Sequence, residues 1–209
     1  MLIATLNHNL PELTDNLVTQ LKRDPLFGEC ELMLDYFLTT IHDYLYFLNN
    51  DLIFHGFSFL TKSLKEVKES NAGVYSPSII NANTNQCHWK QMWNWEKGLR
   101  QVKWIDFQCP LIRRDVLEII KQYPQELIYG WGLDFYTGII TENNKINTVV
   151  SDSNVICHLG SQTFKQNKIN IGVDEFCKQA EGNMNNFFIN SNYRNQYTEL
   201  RTYGENYKA

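Results

Sequence analysis

The sequence predicts an α/β fold built on a mainly parallel sheet flanked by helices. Three observations lead there. Short apolar runs at 2–6, 31–38 and 44–48 have the length of strands, and each contains or ends in polar groups. Between the first two, Leu13, Leu17, Val18 and Leu21 fall at helical spacing behind Pro11, which suits a first helical turn. Strands that alternate with helices are the pattern of a parallel sheet, because helical crossovers are what join parallel strands. At 209 residues the chain has the size of one domain. A domain of that size buries roughly 70% of its unfolded surface and needs no disulfide or metal staple.

Each later element has its own warrant. Val74-Tyr75-Ser76-Pro77 reads as a strand running into a turn, because β-branched and aromatic residues lead into a proline. Residues 83–103 are polar and rich in tryptophan, and read as a mobile loop or an irregular excursion. Trp104-Ile105-Asp106-Phe107 reads as a strand, and 114–122 as a helix with Val116, Leu117, Ile119 and Ile120 on its apolar side. Gly130-Trp131-Gly132-Leu133-Asp134 is a turn leading into a helix from Phe135. Residues 147–158 read as a strand broken at Ser151–Asn154. Residues 1–160 form one α/β domain in this reading. Residues 161–209 form a polar extension, packed on the domain or trailing from it, with helices or an extended tail and no second core.

Composition excludes several classes. Hydrophobic residues are 43% and charged residues 20%, which is globular rather than disordered. A formal net charge of -4 argues against nucleic acid as a partner, which calls for a basic face. No apolar stretch reaches the ~18 residues of a membrane span. The opening residues have neither basic leader nor cleavage site, so the expected location is cytoplasmic, at most peripheral to a membrane. Five scattered cysteines (Cys30, Cys87, Cys109, Cys157 and Cys177) read as free thiols of a reducing compartment.

In an open α/β sheet, ligands bind beyond the carboxyl ends of the strands. Thr5 and Asn7, then Asp35, then Asn50 and Asp51 mark three such ends. Asp51 is a hard-oxygen ligand suited to Mg²⁺ or Mn²⁺, although Asn49-Asn50-Asp51 also reads as a turn that caps the next segment. His158 follows a strand and gains interest only beside Asp51. Trp131, between two glycines, offers its indole face to a sugar ring, and Asp134 over the same cleft suits a general base. Asp134 equally fits a helix first turn, where the dipole favours an acid. No phosphate loop, GxGxxG, GxSxG or HExxH is present.

Taken in order, these pieces resemble the GT-A nucleotide-sugar glycosyltransferases, most closely the family 2-like group. The opening 3–7 with Pro11-Glu12 resembles that group's first strand and nucleotide loop, and Asp35 its base-binding aspartate. The run 44–51 resembles its DxD-type metal motif in the form LNND, with Asp51 as the certain carboxylate. Trp104–Phe107 through Arg113-Arg114-Asp115-Val116-Leu117 resembles its acceptor-side strand and helix. Gly130–Asp134 resembles its GWGxD segment, and Val155–Gly160 its late strand ending in a metal-ligand histidine. The likeness spans roughly 1–164, with 35–51 shorter than the family has, so the nucleotide-binding half is shortened.

The resemblance implies a Rossmann-like sheet and a glycosyltransferase that uses Mn²⁺ or Mg²⁺. The donor would be a nucleotide sugar, a UDP-sugar first, and the acceptor a glycan or lipid-linked hydroxyl. Thr5, Asn7, Asp35 and Asn50 would meet the nucleotide, Asp51 and His158 the cation, Trp131 the acceptor, and Asp134 would be the base. The alternative is a non-catalytic nucleotide- or carbohydrate-binding module on a degenerate scaffold of the same kind.

Overall fold

The computed structural model describes residues 2–6, 19, 31–32, 41–49, 51–82, 87–120, 124, 126–127, 131–159 and 173–209. Eight strands make one sheet: β1 (Leu2–Leu6), β2 (Glu31–Leu32), β3 (Tyr44–Asn49), β4 (Leu52–Phe54), β5 (Val74–Asn81), β6 (Leu99–Val102), β7 (Leu111–Arg113) and β8 (Thr148–His158). Their order is β2-β1-β3-β7-β5-β8-β4, and β6 also pairs with β8. Among the described residues, the helices with both ends placed are α1 (Phe59–Glu69), α2 (Arg114–Ile120), α3 (Leu133–Asn143), α4 (Val173–Asn190) and α5 (Arg194–Asn206).

The sheet is mixed, which corrects the expectation of a mainly parallel one. β1 runs parallel to β2 and β3, and β5 parallel to β8. β7, however, lies antiparallel between β3 and β5, while β4 and β6 run antiparallel to β8. The reason lies in two short strands. β7 enters from the segment before α2, and β4 follows β3 almost at once yet pairs with β8. Neither has a helical crossover to force parallel pairing.

α1 covers one face because its sequence puts Phe59, Leu60, Ser63, Glu66 and Val67 on one side and lysines on the other. Phe59 stacks on Tyr46 and Phe54, with ring centroids 5.5 and 4.1 Å apart. The main core continues through Leu48, Leu52, Val74, Tyr75, Ile79, Leu111 and Ile156.

The predicted strand at 104–107 is irregular instead; the carbonyls of Gln108 and Pro110 accept the N–H groups of Asn49 and Phe47, and the regular strand begins at Leu111. Trp104 explains the difference. It is fully buried, its indole N–H donates to the Leu200 carbonyl at 2.9 Å, and it packs on the helices rather than along a ladder. Thr148–His158 is one continuous strand, not a broken one. The break became a bulge: Pro77 pairs with Ser151 and Ser78 with Val155, so Asp152, Ser153 and Asn154 have no β5 partner in the register. A proline on β5 has no N–H for the ladder, and extra residues are accommodated at such a point.

One further expectation is narrowed and one changes. The tryptophan-rich segment is an irregular excursion held in place over 87–98, while 83–86 lie outside the described residues. The C-terminal segment does carry a second core. Its helices α4 and α5 bring Met184, Phe188, Tyr197 and Leu200 against Trp104, Phe135 and Ile139. Polar residues on the outer faces hide this amphipathic pattern in the composition.

Candidate functional site

The parallel register sets the carboxyl ends of β1 and β3 on one edge, with Thr5 opposite Leu48 and Leu6 opposite Asn49. Asp51 stands two positions after the last residue of β3 and is buried. Its carbonyl accepts the Leu159 N–H at 2.9 Å, and β4 pairs Leu52 with His158. These bonds bring the end of β8 against the turn. As a result His158 Nε2 lies 3.1 Å from Asp51 Oδ2, with the side chains only 13% and 5% exposed. The other ring nitrogen, Nδ1, is buried without a hydrogen-bond partner among the described residues.

Of the remaining expected residues, Asn7, Asp35 and Asn50 lie outside the described residues, and so do Pro11 and the helix expected behind it. Thr5 is placed as a backbone position in β1. Trp131 sits half-buried in the turn ahead of α3.

Asp134 occupies the first turn of α3, where its Oδ1 accepts the Phe135 N–H at 2.8 Å. Gly132 makes this start possible. Its φ is +87°, and a Cβ there would lie 2.7 Å from Met184 Cγ. Only glycine serves both the left-handed backbone and the close approach of α4. Burial pushes the Asp134 carboxyl up to about 8, repulsion from Asp106 adds to it, and the Phe135 N–H opposes it.

Asp106 is an acid without a local signal of its own, because Trp104-Ile105-Asp106-Phe107 has the look of a strand interior. It lies in the irregular segment before β7. Burial raises its affinity for a proton, while His158, the Gln108 amide, His88 and the Cys87 thiol pull the other way. Gln108 Nε2 donates to Asp106 Oδ2 at 2.8 Å, and Cys87 Sγ approaches the same oxygen at 3.8 Å. Burial, reinforced by the Asp106 charge, pushes the Cys87 thiol well up. Cys87 is therefore a neutral donor here and no nucleophile. Cys87, Cys109, Cys157 and Cys177 are all free thiols.

The excursion that carries Cys87 and His88 is fixed by a buried ion pair that no sequence signal announces. Arg100 Nε and Nη2 donate to the two Asp152 carboxylate oxygens at 2.9 and 2.8 Å. Its other N–H groups reach the carbonyls of Gln91 and Trp93 and the hydroxyl of Tyr207. All five guanidinium donors are thus used. Asp152 also accepts the backbone N–H groups of Trp95 and Lys97, at 3.1 and 3.0 Å. The bulge of β8 exists to present this residue.

Asp51 and His158 present a carboxylate oxygen and an imidazole nitrogen at hydrogen-bonding distance from each other, two groups of which the carboxylate is the type that binds Mn²⁺ or Mg²⁺. Among the described residues no group of three His, Cys, Asp or Glu side chains could hold a metal ion. No helix among the described residues is long and apolar enough to cross a membrane.

Comparison with protein-family models finds no match, and no curated protein matches the sequence. Solved structures do match the fold. The S. aureus protein TarS, residues 1–349 in complex with UDP-GlcNAc, superposes with a TM-score of 0.62 over 97% of this chain and 70% of that one, at 8% identity. The same protein with UDP gives a TM-score of 0.58 at 10% identity, over the same shares. A197 from STIV gives 0.51 at 15% identity, over 76% of this chain and 84% of that one. The chain therefore shares its α/β fold, with a mixed sheet, with these structures.

Proposed function

We propose that this chain is a glycosyltransferase that moves a sugar from a nucleoside-diphosphate-sugar donor, a UDP-sugar, to a hydroxyl of a glycan or lipid-linked acceptor. The observation that carries the reading is the 3.1 Å approach of His158 to Asp51 at the sheet edge. The resemblance assigns these two residues, far apart in sequence, to one cation. The fold likeness to a protein solved with UDP-GlcNAc supports the donor class.

In this reading Thr5, Asn7, Asp35 and Asn50 bind the nucleotide. Asp51 and His158 hold a divalent cation, which supplies positive charge to the leaving diphosphate. Trp131 offers its ring to the acceptor sugar. Asp134 takes the proton of the attacking hydroxyl as that oxygen bonds to the anomeric carbon. The bond from that carbon to the diphosphate oxygen breaks, and the nucleoside diphosphate leaves with the electron pair. Such a displacement inverts the anomeric centre.

Thermal shift with UDP, with and without Mn²⁺, tests the binding half. A ligand at 100 times its Kd adds about 2.7 kcal/mol to stability. Asp51→Ala should remove the Mn²⁺-dependent part of the shift; an unchanged metal dependence would reduce Asp51 to a turn residue. Release of UDP from UDP-sugars with Mn²⁺ tests the catalytic half. Binding without any turnover would favour the second reading, a non-catalytic nucleotide-binding module. One observation speaks for that reading: a carboxyl pushed up to about 8 is mostly protonated at neutral pH.

A further inference from the structure

Polar atoms without partners gather at the sheet edge that carries Asp51 and His158. Among the described residues seven buried side-chain nitrogen or oxygen atoms have no hydrogen-bond partner, and three of the seven, Gln108 Oε1, Asn81 Oδ1 and His158 Nδ1, belong to this edge. Backbone bonds and register place them there. The Gln108 carbonyl accepts the N–H of Asn49, the last residue of β3, at 3.2 Å, and Asp51 stands two positions further on. His158 meets Asp51, and Asn81, the last residue of β5, pairs in register with His158. β7 runs antiparallel to both β3 and β5, so the residues just before it come to the carboxyl ends of those strands. Gln108, Asn81 and His158 are half-buried, at the margin of the core rather than inside it.

The Gln108 amide has one orientation. Its Nε2 donates to Asp106 Oδ2 at 2.8 Å, and Cys87 Sγ approaches the same oxygen. An oxygen that receives two donors is an acceptor, so the amide nitrogen must face it and the carbonyl oxygen Oε1 must turn away. Oε1 can only accept, and a buried acceptor left unmatched is costly. The partner it calls for is a hydroxyl or an N–H. We propose that Gln108 is a specificity-determining residue of the donor site, whose Oε1 accepts a hydroxyl of the transferred sugar while Asp106 holds the amide in that orientation. The inference rests on the reading of this edge as a nucleotide-sugar site. The donor class it favours is a neutral sugar with free hydroxyls. A carboxylate on the sugar would meet the Gln108 carbonyl and the Asp106 carboxylate with no proton to offer either.

The test is calorimetric titration of the full chain, with Mn²⁺, by UDP, UDP-glucose, UDP-galactose, UDP-GlcNAc and UDP-glucuronate. At least one neutral UDP-sugar should bind more tightly than UDP, and UDP-glucuronate should bind less tightly than that one. Among the monodeoxy forms of the tightest binder, one should lose about 3–10-fold, the worth of one neutral hydrogen bond. In Gln108→Met the parent UDP-sugar should fall to the affinity of that deoxy form, the deoxy form should lose nothing further, and UDP should bind as to wild type. If Gln108→Met does not fold, Gln108→Asn, which withdraws the carbonyl by one CH₂, takes its place in the same cycle. A folded variant that keeps the full gain from the sugar, or that weakens UDP and UDP-sugar alike, overturns the proposal. So does tighter binding of UDP-glucuronate than of every neutral UDP-sugar, or a wild type that binds UDP with no gain from any sugar. A wild type that does not bind UDP overturns the underlying reading instead.

Discussion

At the scale of single residues, Asp134 is the sharpest case, since the same burial that suits it to catalysis works against the fold. A base is most effective when its proton affinity lies near the working pH, and the carboxyl is pushed up to about 8. Asp134→Asn keeps the shape and removes the basicity. Transfer should fall about 10²–10⁴-fold while donor affinity stays near wild type. Full transfer by the variant would leave Asp134 as a helix-start residue. Stability gives a second, independent readout. The folded state favours the protonated carboxyl, so its contribution is complete below the ordinary value of 3.8 and is lost as pH rises to about 8. The thermal midpoint of wild type should therefore drop relative to that of Asp134→Asn between about pH 5 and pH 8. Parallel curves for the two proteins would show that the carboxyl is not held protonated.

At the scale of elements, the bulge of β8 and the excursion it fastens set the walls of the site. Arg100 and Asp152 are 5% and 1% exposed, so removing one partner strands a buried charge. Asp152→Ala should cost about 3–5 kcal/mol in urea unfolding, and a loss below about 1 kcal/mol would mean that water replaces the carboxylate. Gly132→Ala meets two obstacles at once, a φ of +87° and a Cβ 2.7 Å from Met184. Strained backbone alone costs about 1–3 kcal/mol, so a clear fall in midpoint is expected. These two positions also show what the sequence reveals and what it hides. Gly132 was legible because a glycine-flanked turn before an apolar helix is a local signal. So were β1 and β3, whose apolar runs have the length of strands, and the start of β5, although that strand runs on through Pro77 to Asn81 where a turn was expected; the approach of His158 to Asp51 was an expectation from family likeness alone. Arg100 and Asp152 were not legible, since a pairing across distant strands leaves no local trace. Asp106 was hidden for a related reason: Trp104 beside it looks like a strand residue, yet it is claimed by helices much later in the chain. The mixed pairing of β4 and β7 escaped because three-residue strands have no period to read.

At the scale of the whole molecule, the C-terminal helices decide whether the site region has a floor. Trp104 is fully buried, and what buries it is largely late sequence: Leu200 accepts its indole N–H, and a Cβ at Gly204 would lie 2.9 Å from its ring. Phe188 and Tyr197 stack at 4.3 Å, and Tyr197 meets Phe135 edge-on at 5.1 Å, one residue beyond Asp134. Tyr207 at the end of α5 bonds to Arg100, which links the same helix to the excursion. Burying one large apolar side chain is worth about 1.5–3 kcal/mol, and a domain's net stability is about 5–15 kcal/mol. Loss of Tyr197 and Leu200 together with the cover over Trp104 therefore approaches the stability of the whole. A chain ending before Arg194 should lose its cooperative thermal transition, and its tryptophan emission should shift to the red as Trp104 meets water. If the shortened chain instead melts cooperatively with unchanged emission, the second apolar cluster is dispensable. The turn that carries Trp131 and Asp134 would then be held by the sheet side alone.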